Sequence, residues 1–532
     1  MSWCPPALPV LSCPAMVVKV RTRKVLQTNC NEVCHLLYVK CTNLKLKIAD
    51  HKSKILLTPK KGRSLAGRPA IKLNGQRIKI VNTLKYLGVT FDTKMTWIPH
   101  IQDLKLRTSA IVKQMRQFYG YKWGLNPHIQ KVLYTTVVEK IATYAAAVWC
   151  HPMQGRKIKH LYTIQRPFAL GITRAYRTTS SDALNVLAGL LPLHIRVEEE
   201  AARQIILQLK KPTVFDEEYF HPEEEYEVID RPLHVHPASK GTGVKVTINP
   251  STTNSPTLFN IFTDGSKIDE KAGCSYIVMR HDTIQARWKA QLRQHNSVFQ
   301  GEAIAIAQAV NYLLSSNIHN ATIKTDSLSS LHAIMNPNHV SKIIQGIQAN
   351  LRQCNLHIKL EWIKAHAGHL GNEMADQLAK EAALGPTDLQ FNIPWPVTFL
   401  KKSLRLKAIG KWQQEWDDST TGRRVHYHIS YVDTERNIAN SQLVRYISGH
   451  GPFPVYFYRF GICSSDQCTC GHTGSPEHYL TSCPLTEGQH VPIPTTNRQS
   501  FCKFLIKQRH LIQKIGRMMD KLADLNTDLC QI

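Results

Sequence analysis

Between residues 257 and 386 the hydrophobic pattern changes period in a fixed order, and few folds accept that order. Leu258–Phe262, Cys274–Met279 and Ile284–Trp288 are short apolar runs set apart by turn residues, and they read as three strands. Val298–Leu314 then repeats at helical spacing, and Ala321–Thr325 returns to a strand. After further helices come a strand at His357–Ile363 and a last helix at Asn372–Ala383. Three consecutive strands followed by alternating helices and strands predict an α/β unit, a mixed five-stranded sheet with flanking helices.

The rest of the chain divides around this unit. An acidic run, Asp216-Glu217-Glu218 to Asp230, precedes a Pro/Gly/Ser/Thr-rich stretch from Pro232 to Pro256, so 211–256 reads as a linker. Gly385-Pro386 ends the last helix, and Gly449-His450-Gly451-Pro452 marks another break. Before the linker, Ile101–Gln117, Pro127–Trp149 and Leu193–Leu209 are helical patterns. The expected organisation is a multidomain chain: a leader at 1–24, a mainly helical segment at 25–210, the linker, the unit at 257–386, and a helical tail with a small Cys/His domain at 387–532.

Charge narrows the partners. The net charge is +28, and residues 1–150 hold 25 Lys and Arg against five acids, so +20 of it lies there. A field of that sign attracts polyanions, nucleic acid first among them. No stretch approaches ~18 uninterrupted apolar residues, so no membrane span is expected. The apolar start has its basic residues after the apolar part, the wrong order for a secretory signal. Fourteen cysteines in 532 residues are too sparse for a disulfide scaffold. An intracellular location, nuclear or cytoplasmic, is expected. The oligomeric state is open.

Four acids in the middle unit stand in apolar surroundings. Asp264 follows the strand Ile261-Phe262-Thr263, and Asp326 ends Ile323-Lys324-Thr325. Glu302 shares a helical face with Ile306, Ala309 and Leu313, which is the buried face. Asp376 lies on the last helix. Taken singly, Asp264-Gly265 fits a turn, Asp326-Ser327 a helix N-cap, and Asp376 a solvated helix position. Four carboxylates converging at element ends would repel one another and raise their pKa values, whereas two divalent cations neutralise them. A cation pair about 3.5–4 Å apart also suits phosphodiester cleavage, one ion activating water and the other stabilising the leaving oxygen. Oxygen-only ligands favour Mg²⁺, or Mn²⁺.

The set as a whole resembles type 1 ribonuclease H. The resemblance rests on Thr263-Asp264-Gly265-Ser266, Glu302, Thr325-Asp326-Ser327, and Trp362-Ile363-Lys364-Ala365-His366-Ala367-Gly368-His369 leading to Asn372-Glu373 and Ala375-Asp376. It implies hydrolysis of the RNA strand of RNA–DNA hybrids, with Asp264, Glu302, Asp326 and Asp376 as metal ligands. It makes His366 an aid to proton transfer or product departure, histidine being the side chain whose charge changes near neutral pH. Gly265 and Ser266, with Ser327, are the expected substrate contacts, since 2′-hydroxyls in a wide minor groove distinguish RNA. One departure is that Asn336–Leu356 lacks the lysine-rich protrusion of some members, so grip on the hybrid is expected from neighbouring domains.

The flanks carry a second resemblance, to reverse transcriptases of non-LTR retrotransposons. Leu84–Asp92 with Trp97 and His100-Ile101 resembles the region just after the polymerase active site, and Gln165-Arg166, Ile172–Ser180 and Pro192-Leu193 resemble the thumb and connection. The adjacent aspartate pair that polymerisation needs is not found upstream: the first aspartate is Asp50, and Asp417-Asp418 lies far downstream. No polymerase activity is expected. In the tail, Trp412-Gln413, Trp416-Asp417, Gly449-His450-Gly451 and Cys468-Thr469-Cys470 resemble the same elements. Cys468, Cys470, His478 and Cys483 suit one structural Zn²⁺, with Cys463 or His472 as substitutes. The competing expectation for the chain is a nucleic-acid-binding remnant that turns over nothing.

Overall fold

A computed structural model describes residues 15–20, 22–46, 48–49, 52–59, 67, 69–118, 124–222, 226–227, 245–248, 257–281, 283–353, 357–385, 389–436, 438 and 440–525. Two compact units result: Met1–Val197 with Trp412–Ile532, and Glu198–Lys411.

The second unit is built on a seven-stranded sheet. In chain order its elements are β1 (Lys245–Thr247), β2 (Phe259–Ile268), β3 (Lys271–Arg280), β4 (Thr283–Leu292), α1 (Val298–Ser315), β5 (Asn320–Thr325), α2 (Leu328–Met335), α3 (Lys342–Gln353), β6 (His357–Trp362), α4 (Leu370–Leu384) and β7 (Gln390–Phe391). The spatial order is β7-β4-β3-β2-β5-β6-β1. β2, β3 and β4 pair antiparallel, and β5, β6, β1 and β7 join in parallel. The five expected strands are present, and β2 to β4 are each ten residues long, longer than their apolar runs. The sheet exceeds the expected five because β1 and β7, two or three residues each, add edges from outside 257–386.

Strand alternation sorts the core into two faces. Ile261, Val278, Ile323 and Leu360 pack on one side with Ala303, Ile306, Ala309 and Leu313 of α1. Phe262, Ile277 and Met279 pack on the other with Ala375, Met374 and Leu378 of α4. Helix α1 starts at a capping box in which Ser297 and Gln300 satisfy each other's backbone donors. Gly273 lets α4 lie against β3: a Cβ there would sit 2.2 Å from the Ala379 carbonyl oxygen.

The 211–256 stretch, expected as a linker, carries structure of its own. Its acidic run turns a hairpin, Thr213–Phe215 with Glu218–Phe220. Asp216 and Glu217 both have positive φ, as a tight two-residue hairpin turn requires. Phe215 and Phe220 are buried. Tyr226 pairs with Trp395, and the Glu227 amide donates to the Trp395 carbonyl at 2.7 Å. Composition alone misses these pieces because one or two buried aromatics suffice to anchor them. Residues 223–225, 228–244 and 249–256 lie outside the described residues, as do 1–14 of the expected leader and Asp50.

In the first unit, helices Ile98–Arg116, Arg156–Thr173 and Ser181–Ala188 have buried apolar faces. The expected single helix over Pro127–Trp149 is instead broken. It runs from Pro127 to Leu133, widens into a π-turn at Tyr134–Val138, resumes at Glu139–Ala142, and restarts at Ala146–Trp149 after Ala145 at φ +50°. Threonines cluster along the broken stretch. The hydroxyls of Thr135, Thr136 and Thr143 donate to carbonyls four residues earlier, competing with the helical ladder. Among the described residues, no helix is long and apolar enough to cross a membrane.

Candidate metal centre

Asp264, Glu302 and Asp326 meet at one end of the sheet. One carboxylate oxygen from each lies within 4.8 Å of the others. The convergence follows from register: Thr263 pairs with Thr325, so the next residues of the two parallel strands, Asp264 and Asp326, emerge side by side. Asp264 has the parity of Phe262 and faces α4, while Gly265 faces α1. A Cβ on Gly265 would lie 2.5 Å from the Glu302 backbone nitrogen, so only glycine lets that turn of α1 approach the strand. Glu302 is thereby held 7% exposed among the carboxylates, on the buried face with Ile306, Ala309 and Leu313.

Asp376 is the expected fourth member and stands slightly apart. It is outside the three-carboxylate group, but it stands near enough to Asp264 to help push that carboxyl up. Its Oδ2 accepts from Lys380 Nζ at 2.7 Å, one turn further along α4. One turn earlier, Asn372 is 3% exposed, and its Nδ2 donates to Asp326 Oδ2 at 3.3 Å. The sequence reading did not single out Asn372 or Lys380 as site residues. Lys380 was detectable as an i,i+4 ion pair with Asp376; Asn372 depends on a contact 46 residues away in sequence.

The electrostatics are those of charges crowded without compensation. Burial, then Asp326 and Asp376, push the Asp264 carboxyl up to about 7, although the Gly265 amide, donating to its Oδ1 at 2.7 Å, pulls the other way. Burial, then Asp264 and Asp326, raise Glu302 well above the usual carboxylate range. Glu302 Oε2 is buried and has no hydrogen-bond partner. A buried, unpartnered carboxylate oxygen facing two more carboxylates calls for cations. Three hard oxygen donors at this spacing fit Mg²⁺ or Mn²⁺.

The other expected site residues sit as follows. His366, at φ +52°, is exposed on the loop between β6 and α4 and lies outside the carboxylate group. Ser266 is half-buried on β2. Ser327 caps α2: its Oγ accepts from the Ser330 amide at 3.4 Å and donates to Ser330 Oγ at 2.8 Å.

A second cluster lies in the tail. Ligand atoms of Cys468, Cys470, His478 and Cys483 all lie within 4.8 Å of one another. The Cys468 amide donates to the His472 carbonyl and the Gly471 amide to the Cys468 carbonyl, a tight turn that Gly471 permits with φ +86°. His478 comes from helix Pro476–Thr481, and Cys483 from the residue capping the next turn. Cys470 Sγ lies 3.1 Å from His478 Nε2, and Cys468 Sγ 3.7 Å from Cys483 Sγ. Burial pushes Cys483 up to about 12, whereas Cys468 is brought down to about 6 against its own burial by hydrogen bonds from Cys470, Tyr479 and His478. Three sulfurs and an imidazole at this spacing fit tetrahedral zinc. Cys463 and His472, the expected substitutes, are outside the group.

A mixed sheet with helices on both faces and acids at the ends of its two central parallel strands belongs to the ribonuclease H class of folds. Residues 256–384 match the RNase H family, and they are a ribonuclease H domain. The chain carrying it is similar to retrovirus-related Pol polyproteins from type-1 retrotransposable elements R1 of Nasonia vitripennis. One is 25% identical over 190 residues, covering 34% of this chain and 50% of the relative. Another is 26% identical over 181 residues, covering 31% and 45%. The chain thus spans about half the length of these relatives. Among solved structures, the N-terminal RNase H domain of a Mycobacterium tuberculosis protein fused to maltose-binding protein is 20% identical, covering 24% of this chain and 94% of that one, with a TM-score of 0.21.

Proposed function

We propose that this protein hydrolyses the RNA strand of RNA–DNA hybrids, as part of a retrotransposon-type Pol protein. The observation that carries the reading is the group of buried Asp264 and Glu302 with half-buried Asp326, and an unpartnered oxygen on Glu302. These three, with Asp376 beside them, would hold two Mg²⁺ or Mn²⁺ ions. Bound divalent cations supply Lewis-acid activation of water and neutralise charge building on the phosphate. The protein's own groups do the positioning. Asn372 fixes the Asp326 carboxylate, and Gly265 admits Glu302. The Lys380–Asp376 pair orients the fourth carboxylate, and exposed His366 is available to move a proton at the entrance.

Substrate contact is assigned to Gly265 and Ser266, of which half-buried Ser266 offers a small hydroxyl suited to a 2′-hydroxyl; the contribution of Ser327 runs through its cap on α2. The helical segment at 25–210 is read as a reverse-transcriptase thumb and connection remnant that tracks phosphates, and the tail as a zinc-stabilised element held by Cys468, Cys470, His478 and Cys483.

The test is hydrolysis of an end-labelled RNA–DNA hybrid in Mg²⁺ by the full chain and by Asp326→Asn. Cleavage by the wild type that falls at least about a hundredfold in the variant is the expected result. Equal cleavage by both, or none by either, leaves only a nucleic-acid-binding chain.

A further inference from the structure

The RNase H match ends at residue 384, yet the chain beyond it returns to the helix that carries Glu302. The Leu389 and Phe391 carbonyls accept from the Gln291 and Arg293 amides, which makes β7 the outer neighbour of β4. Phe391 and Ile393 then pack on the cluster that holds Leu292, Ile304 and Ala305. Pro394 follows, and its carbonyl accepts from two side chains, Asn296 Nδ2 at 3.2 Å and Gln300 Nε2 at 3.0 Å. Both side chains are buried.

The loop that enters α1 is held residue by residue. Trp395 Nε1 donates to the Gln294 carbonyl at 2.7 Å, and the Arg293 guanidinium lies 3.9 Å over the Trp395 ring. The His295 ring stacks on Phe399, 4.5 Å away and 11° from parallel. Asn296 completes the series through Pro394. Every residue from Arg293 to Asn296 therefore has a partner between Pro394 and Phe399.

These contacts bear on the site because of where Glu302 stands. It lies in the second turn of α1, and the ends of helices fray unless their side chains and backbone groups are tied down. Its backbone is pressed against Gly265, and its carboxylate faces those of Asp264 and Asp326. Like charges so close drive α1 away from β2 unless the start of the helix is held elsewhere. Ile304 and Ala305 seat the same stretch of helix over β3 and β4, in the cluster that Phe391 and Ile393 cover.

We propose that Leu389–Phe399 is a brace of the nuclease: through the Pro394 carbonyl and the Trp395 ring it fixes the first turn of α1, and with it the place of Glu302 among the carboxylates. Trp395 and Gln300 are its positioning residues, and the working unit extends past the matched residues 256–384. The inference rests on the hydrolysis reading given above.

The test compares the full chain with Trp395→Ala, Trp395→Phe and Gln300→Glu by amide hydrogen exchange, Mg²⁺ titration calorimetry, and kcat and KM on the hybrid. Trp395→Ala should speed exchange at the amides of residues 301–304, weaken Mg²⁺ about tenfold, and lower kcat by a similar factor with KM unchanged. Trp395→Phe keeps a ring for Arg293 and Phe399 and should recover most of the loss. Gln300→Glu keeps the oxygen that closes the capping box and loses only the N–H given to Pro394. Glutamate is favourable at that position of a helix, so capping alone predicts exchange unchanged or slowed, whereas the brace predicts it faster. Wild-type exchange and Mg²⁺ affinity in Trp395→Ala, even with a lower melting temperature, reduce the segment to plain packing and overturn the proposal. Unchanged or slowed exchange in Gln300→Glu does the same, and decides alone if Trp395→Ala does not fold. A wild type that cleaves no hybrid removes the hydrolysis reading, while exchange and Mg²⁺ binding still decide the brace.

Discussion

Replacing Asp264 by Asn should stabilise the cation-free protein. A rise from the ordinary value of 3.8 to about 7, at roughly 1.36 kcal/mol per pKa unit, is worth on the order of 4 kcal/mol. The sign follows from proton counts. Below the ordinary value both folded and unfolded chains carry the proton on this group. Between there and about 7 the unfolded chain has released it while the folded one retains it, so each step up in pH favours unfolding. Chelated wild type therefore loses the contribution of this group as pH rises from about 4 to 7, and Glu302, raised in the same direction, adds to the loss. Asparagine keeps the acceptor for the Gly265 amide and carries no charge, so Asp264→Asn removes this group's part of the slope. For a unit of about 150–250 residues, 1 kcal/mol moves the melting temperature by about 2–4 °C, so the variant should melt about 8–16 °C higher near pH 8 in chelator. Mg²⁺ at about a hundred times its dissociation constant adds about 2.7 kcal/mol to the wild type. Its effect should shrink near pH 5 and in the variant. Calorimetry across pH, with and without Mg²⁺, is the assay. A wild-type transition in chelator that is insensitive to pH between 5 and 8, or an Asn variant no more stable than wild type at pH 8, refutes the argument that repulsion and burial dominate this site.

Gly265→Ala places a methyl 2.5 Å from backbone of α1, so it should cost about 1–3 kcal/mol in melting experiments and depress hydrolysis by moving Glu302; an unchanged melt contradicts the close approach. Ser327→Ala removes the cap of α2 and should cost about 1 kcal/mol with little change in KM, whereas a large KM effect on the hybrid would give that hydroxyl a direct contact. Cys470→Ser should remove one equivalent of zinc per chain in elemental analysis and broaden the tail's melting transition, as should a strong chelator; retention of zinc would move the ligand set elsewhere.

The order of hydrophobic periods determined most of the middle unit before any coordinates. Every expected element from β2 to α4 lies within a few residues of its position, because strand and helix periods are local consequences of backbone geometry. The acids were legible for a related reason: Asp264, Glu302 and Asp326 stand where an apolar pattern has no place for charge. Cys468, Cys470, His478 and Cys483 were legible as a group by spacing, but only the fold shows that these four gather while Cys463 and His472 stand outside the group. Tertiary structure alone decided what depends on distant partners. β1 and β7 are too short to show a period and exist because the edges of β6 and β4 had open hydrogen-bonding groups. Asp376 stands off from the other three and Asn372 takes hold of Asp326 because α4 packs close on β3, a fit set by Gly273 and small alanines across the sheet. The break after Leu133, where threonine hydroxyls bond carbonyls of the preceding turn, is one that hydrophobic spacing does not register. Pattern is written residue by residue; register, approach and partner choice are settled only when separated segments meet.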